Sequence, residues 1–138
     1  MKILIINGAN LNLLGRRQPE IYGRESFEEY LEALRARYSA HTIDYFQSNI
    51  EGEIVDKLQA ADGHYDGIVL NAGGYTHTSV VIRDAIAAIG TSVVEVHISS
   101  ILAREEFRHV SLIAPVAKGS IMGFGMESYR LAVENIIG

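Results

Sequence analysis

The sequence predicts an α/β fold, a three-layer sandwich built around a five-stranded parallel sheet. Two observations predict it. Short β-branched runs such as KILII and VVEV alternate with amphipathic helical stretches, and that alternation demands parallel pairing with right-handed crossovers. The 138 residues, 48% hydrophobic and 21% charged, fit one globular domain spanning 1–138 with a single core.

Lys2 to Ile6 is apolar without alternation, as in a strand buried on both faces. A polar, glycine-rich loop follows, to about Glu25. Ser26-Phe-Glu-Glu29 is a capping box opening a helix whose Phe27, Tyr30, Leu31, Leu34 and Tyr38 share one face. His41 to Gln47 reads as the second strand, and Glu51 to Ala60 as a short helix with Ile54, Val55 and Leu58 inward. Gly67 to Leu70 is the third strand. Thr78 or Ser79 starts a helix to Ile89, with Gly90 placed to end it. Ser92 to Val96 is the fourth strand, Ser111 to Ala114 the fifth, and Met126 to Ile137 a closing helix. Ser100 to Arg108 is either a short helix or an ordered loop.

Five strands in this pattern favour the flavodoxin-like order, with ligands beyond the carboxyl ends of the strands at the switch point. Three strand ends deliver polar side chains there. The first carries Asn7, Asn10 and the loop GRRQPEIYG, Gly15 to Gly23; the third carries NAGGYTHTS, Asn71 to Ser79; the fourth ends in His97-Ile-Ser-Ser100. Glu95, two residues before His97, faces the same side of its strand and is placed to orient or charge the ring. His77 suits either a helix cap or a ligand donor. The Gly73-Gly74 turn and the helix start after it offer backbone donors to an anion. Asp84, on that helix, reads as a solvated surface residue.

Other classes are disfavoured. The absence of cysteine removes disulfides, thiolate catalysis and cysteine-ligated metal, and suits a reducing cytoplasm. No histidine pair has metal-ligand spacing. MKILIIN is too short for a signal-peptide core, and no apolar run approaches the roughly 18 residues of a membrane span. A net charge of −5 argues against general nucleic-acid binding. A phosphoacceptor receiver would need aspartates where Asn7 and Asn71 stand. GFG at 123–125 lacks the third glycine of a dinucleotide fingerprint.

In an acidic chain, the positive charge beside Tyr22 suggests chemistry. Bringing a phenol from a pKa of about 10 to about 7 requires roughly 4 kcal/mol in favour of the phenolate. One arginine about 4 Å away supplies about that much at an effective dielectric near 20. Arg16, Arg17 and Arg24 are local, and Arg104 and Arg108 could arrive from the far loop.

Four blocks, NGANLNLLGRRQPEIYG, QSNIEGEIVDKL, LNAGGYTHTSVVIRDA and VEVHISSILAREEFRH, resemble the type II 3-dehydroquinate dehydratases in order and without large gaps. The resemblance implies a cytoplasmic hydro-lyase with the flavodoxin-like fold. It implies no metal or cofactor, and a homo-oligomer, a dodecamer built from trimers. The implied reaction is anti elimination of water from 3-dehydroquinate through an enolate, giving 3-dehydroshikimate, for aromatic biosynthesis in the shikimate pathway or for quinate breakdown. By resemblance, Tyr22 is the base, His97 the general acid and Arg17 the lid arginine favouring the tyrosinate, with the lid at about 15–25. Asn10 helps to hold water over the enolate oxygen. Asn71, His77, Asp84, Ile98, Ser99 and Arg108 bind substrate. Ala9, Gln18 and Ser100 depart from the family's usual proline, glutamate and asparagine. These departures bear on lid stiffness and substrate positioning.

Overall fold

Five parallel strands, β1 (Lys2–Asn7), β2 (Thr42–Gln47), β3 (Gly67–Asn71), β4 (Val93–His97) and β5 (Gly119–Met122), pair in the order β2-β1-β3-β4-β5. The computed structural model describes residues 1–15 and 25–138. The strand order is the flavodoxin-like one, with its switch point between β1 and β3. Four α-helices of the described residues flank the sheet: α1 (Phe27–Arg37), α2 (Glu51–Ala61), α3 (Val80–Ala88) and α4 (Glu127–Ile137).

Alternate strand residues feed two cores, which is why the strand sequences are apolar throughout. Ile3, Ile5, Val69, Val94 and Val96 pack with Phe27, Leu31 and Leu34 of α1 and Tyr129, Ala132 and Val133 of α4. Leu4, Ile6, Ile68, Leu70 and Val93 pack with Ile54 and Leu58 of α2 and Ile82, Ala85 and Ile86 of α3. Ser26 caps α1 by accepting from Glu29 N at 3.2 Å, and its hydroxyl meets the Glu29 carboxylate at 3.1 Å. Ser79 caps α3, accepting from Ile82 N at 3.0 Å.

Two expectations change. The apolar run at Ser111–Ala114 is not a strand. Ser111 Oγ accepts from Ile113 N and Ala114 N, bending the chain into the 3₁₀ turn Ala114–Val116. Ile113, with no exposed surface, plugs the core beside α3 instead of pairing. The fifth strand comes later, once Lys118 N bonds to Val93 O. Gly90 does not supply a left-handed cap either. The chain leaves α3 extended at Ile89, and the amides of Gly90 and Thr91 donate to Asp62 Oδ1 at 3.1 and 3.0 Å. Ser100–Arg108, left open above, forms two 3₁₀ turns, Ile101–Ala103 and Glu106–Arg108.

The position of Ile113 has a measurable consequence. Ile113→Ala is expected to destabilise the fold by about 2–4 kcal/mol, the cost of an unfilled core site. Urea unfolding checks it. A change under about 0.5 kcal/mol would mean that the side chain is not a core plug.

Candidate active site

Parallel register levels the strand ends: Asn7 lies beside Gln47 on one side and Asn71 on the other, and His97 lies beside Met122. The first two loops then meet closely. A Cβ on Gly8 would sit 2.5 Å from Ala72 O, and Gly73 takes φ +62 with Ala9 O against it, so glycine is required at both positions. Asn10 turns left-handed at φ 71, a conformation asparagine tolerates, and its amide donates to Asn49 Oδ1 at 2.9 Å.

A buried relay fixes the asparagine amides. Tyr129 OH donates to Asn7 Oδ1 at 2.7 Å and accepts from Asn71 Nδ2 at 2.9 Å. Asn71 Oδ1 accepts from Gly73 N at 3.1 Å, so the amide is oriented at both ends. Burial pushes the Tyr129 phenol up and that of Tyr45, behind it, up to about 12. Neither is suited to act as a base.

At the end of β4, His97 Nε2 meets Glu95 Oε2 at 2.8 Å, both residues being buried. Ser111 Oγ donates to the same oxygen and Ser120 Oγ to Oε1, each at 2.5 Å. Burial pushes the Glu95 carboxyl up, but hydrogen bonds from His97, Ser111 and Ser120 outweigh it and hold the group below its usual range. An ionised acceptor puts a proton on Nε2 and leaves Nδ1 as the nitrogen for chemistry. His77 is fixed the opposite way: Nδ1 donates to Val110 O at 2.9 Å, leaving Nε2 to accept in the neutral ring.

The two histidines border one cleft of about 160 Å³, below the roughly 300–1,000 Å³ of drug-sized ligand sites and suited to a small polar molecule. Asn10, Asn71, His77, His97, Ile98, Ser99 and Arg108 all line it. Leu11, Leu14 and Ile101 add apolar wall, and Arg104 adds a guanidinium that donates to Ser99 Oγ at 3.4 Å. Arg108 is steered by Glu105, its Nε 3.1 Å from Oε1. The own backbone amide of Glu105, with Arg108 and Arg104, holds that carboxyl below its usual range. Asp84 is exposed on α3 and does not line the cleft. Tyr22 and Arg17, with most of the expected lid, lie outside the described residues. Among the described residues no His, Asp and Glu side chains group as metal ligands would, and no helix is long and apolar enough to cross a membrane.

The family model for Dehydroquinase class II matches residues 1–137. The chain belongs to the class II dehydroquinase family. A 3-dehydroquinate dehydratase of Campylobacter jejuni is 55% identical over 139 residues, covering 99% of this chain and 87% of the relative. The crystal structure of the type II dehydroquinase from Butyrivibrio crossotus superposes with a TM-score of 0.96 at 44% identity, covering 100% of this chain and 98% of the other. That of the Propionibacterium acnes type II dehydroquinase gives 0.91 at 36% identity, covering 98% and 94%.

The chain also presents Tyr129, Ser111 and Ser120 as supports of Asn71 and Glu95. Their contacts depend on register and on long-range closure. A sequence pattern carries no signal for either.

Proposed function

We propose that this chain dehydrates 3-dehydroquinate to 3-dehydroshikimate by anti elimination through an enolate, as a single catalytic unit working in the cytoplasm. The observation that carries the proposal is the buried His97–Glu95 pair, whose imidazole lines a cleft with amides and guanidinium groups. Such a cleft suits a hydroxylated ketone bearing a carboxylate. The names of the relatives support the same substrate.

In this reading Tyr22, as phenolate beside Arg17, takes a proton from C2 of the substrate. The C–H electron pair moves into the ring to give an enolate on the neighbouring ketone. Asn10 holds water against the enolate oxygen, where hydrogen bonds count most because the charge arises there. Collapse of the enolate expels the C1 hydroxyl, which takes a proton from Nδ1 of the His97 imidazolium and leaves as water, the ring returning to its neutral Nε2–H form. The phenol then loses its proton and the imidazole regains one, restoring both groups. Asn71, His77, Ile98, Ser99 and Arg108 bind the substrate. No metal or cofactor enters any step.

Asp84 completes the proposed binding set, but it lies off the cleft of its own chain. Its role therefore requires a second copy to bring it there. Val80 and Val81, also exposed, share its face of α3 at helical spacing and suit such a contact. The proposed assembly is a dodecamer of trimers.

Adding 3-dehydroquinate to the purified protein tests the activity. A rise in near-ultraviolet absorbance from the conjugated enone is expected, without added metal or cofactor. A flat trace with intact, folded protein would overturn the assignment.

A further inference from the structure

Glu95 and Ser120 are register partners on β4 and β5, directly opposite across the edge of the sheet. The contact is asymmetric. Glu95 is 1% exposed, whereas Ser120 sits on the exposed edge strand. Glu95 Oε2 is shared by His97 and Ser111, while Oε1 has Ser120 as its only side-chain donor among the described residues.

We propose that Ser120 is a positioning residue that sets the proton affinity of the His97–Glu95 pair through its hydrogen bond to Glu95 Oε1. The inference rests on reading His97 as the general acid, and its physics has one direction. A hydroxyl donating to a carboxylate stabilises the anion and draws negative charge away from the oxygen facing the imidazole. Without it, more negative charge stays on the oxygen facing the imidazole, which holds the imidazolium more tightly and keeps the ring protonated to higher pH. As the two groups share that proton, the change belongs to the pair.

The other charged groups nearby do not compete for this role. Arg104, Arg108 and His77 line the cleft with His97, whereas Glu95 and Ser120 do not. On α3, Arg83 is turned to Leu112 O and Asp84 is exposed. Lys118 precedes β5 at an exposed position. Among the described residues, His97 acts on Glu95 through charge and a hydrogen bond, and the two serines act through hydrogen bonds. Ser111 also ties the turn at Ile113 and Ala114, so its loss would loosen the loop as well. Among the described residues the Ser120 side chain bonds to Glu95 alone, which makes Ser120 the clean probe.

The test follows His97 in protein carrying ¹³C-labelled histidine, its signal being the one missing in His97→Ala. In Ser120→Ala the His97 transition should move up by about half to one pH unit. Ser120→Thr, which keeps the hydroxyl and suits an edge strand, should restore it. A transition unmoved in Ser120→Ala would overturn the proposal, as would an equal shift in Ser120→Thr. The pH–rate profile with 3-dehydroquinate separates this from the mechanistic reading. If the high-pH limb moves with the ring, His97 is the acid. If the ring moves and the rate profile does not, the role of Ser120 stands and the assignment of His97 as acid fails.

Discussion

Tyr22→Phe is expected to lower turnover by about 10³-fold or more, with stability and ligand binding nearly unchanged. The substitution keeps the ring and removes only the oxygen that accepts the C2 proton. No described tyrosine lines the cleft, and Tyr129 is fully buried and spends its hydroxyl on Asn7 and Asn71, while burial pushes the Tyr45 phenol up. General-base catalysis is worth about 10²–10⁴-fold, and the loss should reach the upper part of that range because the C–H is a weak acid. The measurement is kcat by enone absorbance, with melting and binding of an enolate-like carboxylate analogue as controls. Turnover within tenfold of the parent would place the base elsewhere.

Arg17→Ala is expected to lower kcat by about 10²–10³-fold while KM changes by only a few-fold. The charge of Arg17 is proposed to act on the tyrosinate and on the enolate, species that matter in the transition state more than in the bound ground state. The pH dependence follows from the sign. Removing a cation beside a phenol lets its pKa return towards about 10, so less phenolate is present at neutral pH and the low-pH limb of kcat moves upward. Full steady-state kinetics across pH check both parts. Normal kcat with a raised KM alone would make Arg17 a simple binding residue.

What could be read from the sequence divides along a physical line. Strands buried on both faces announce themselves as apolar runs, so β1, β3 and β4 and the crossovers between them were legible. Ser26 and Ser79 marked helix starts because a side-chain cap is a local device. The fifth strand was misplaced because Ser111–Ala114 looks like a strand yet owes its apolar character to Ile113 filling the core. The true edge strand, Gly119–Met122, is short, has no fully buried residue and is weakly patterned. Gly90 was misread for a similar reason, since the α3 terminus is tied by Asp62, 28 residues away.

The site divides in the same way. Residues contiguous with a strand end, such as Asn71, His77, His97 and Ser99, could be named from order and resemblance, and the structure brings them to one cleft. The Glu95–His97 contact was readable from a two-residue spacing. Asn7 and Tyr129, 122 residues apart, meet only because α4 closes over the sheet. Ser120 meets Glu95 only through the β4–β5 register. The placement of Asp84 outside the cleft of its own chain was equally illegible, because resemblance carries a role without saying which copy performs it.

Deuterium exchange in the His97→Ala protein tests the two-step account most directly. Glu95 keeps the hydroxyls of Ser111 and Ser120 in this variant, so the buried carboxylate is not left without donors and the fold should persist. Tyr22 and Arg17 are untouched. In heavy water, recovered 3-dehydroquinate should therefore still gain deuterium at C2, while elimination slows by about 10²–10⁴-fold for want of the acid. Exchange abolished in a variant that melts like the parent and still binds the analogue would contradict the account. It would mean that proton removal and hydroxide loss are concerted, or that His97 is not the acid.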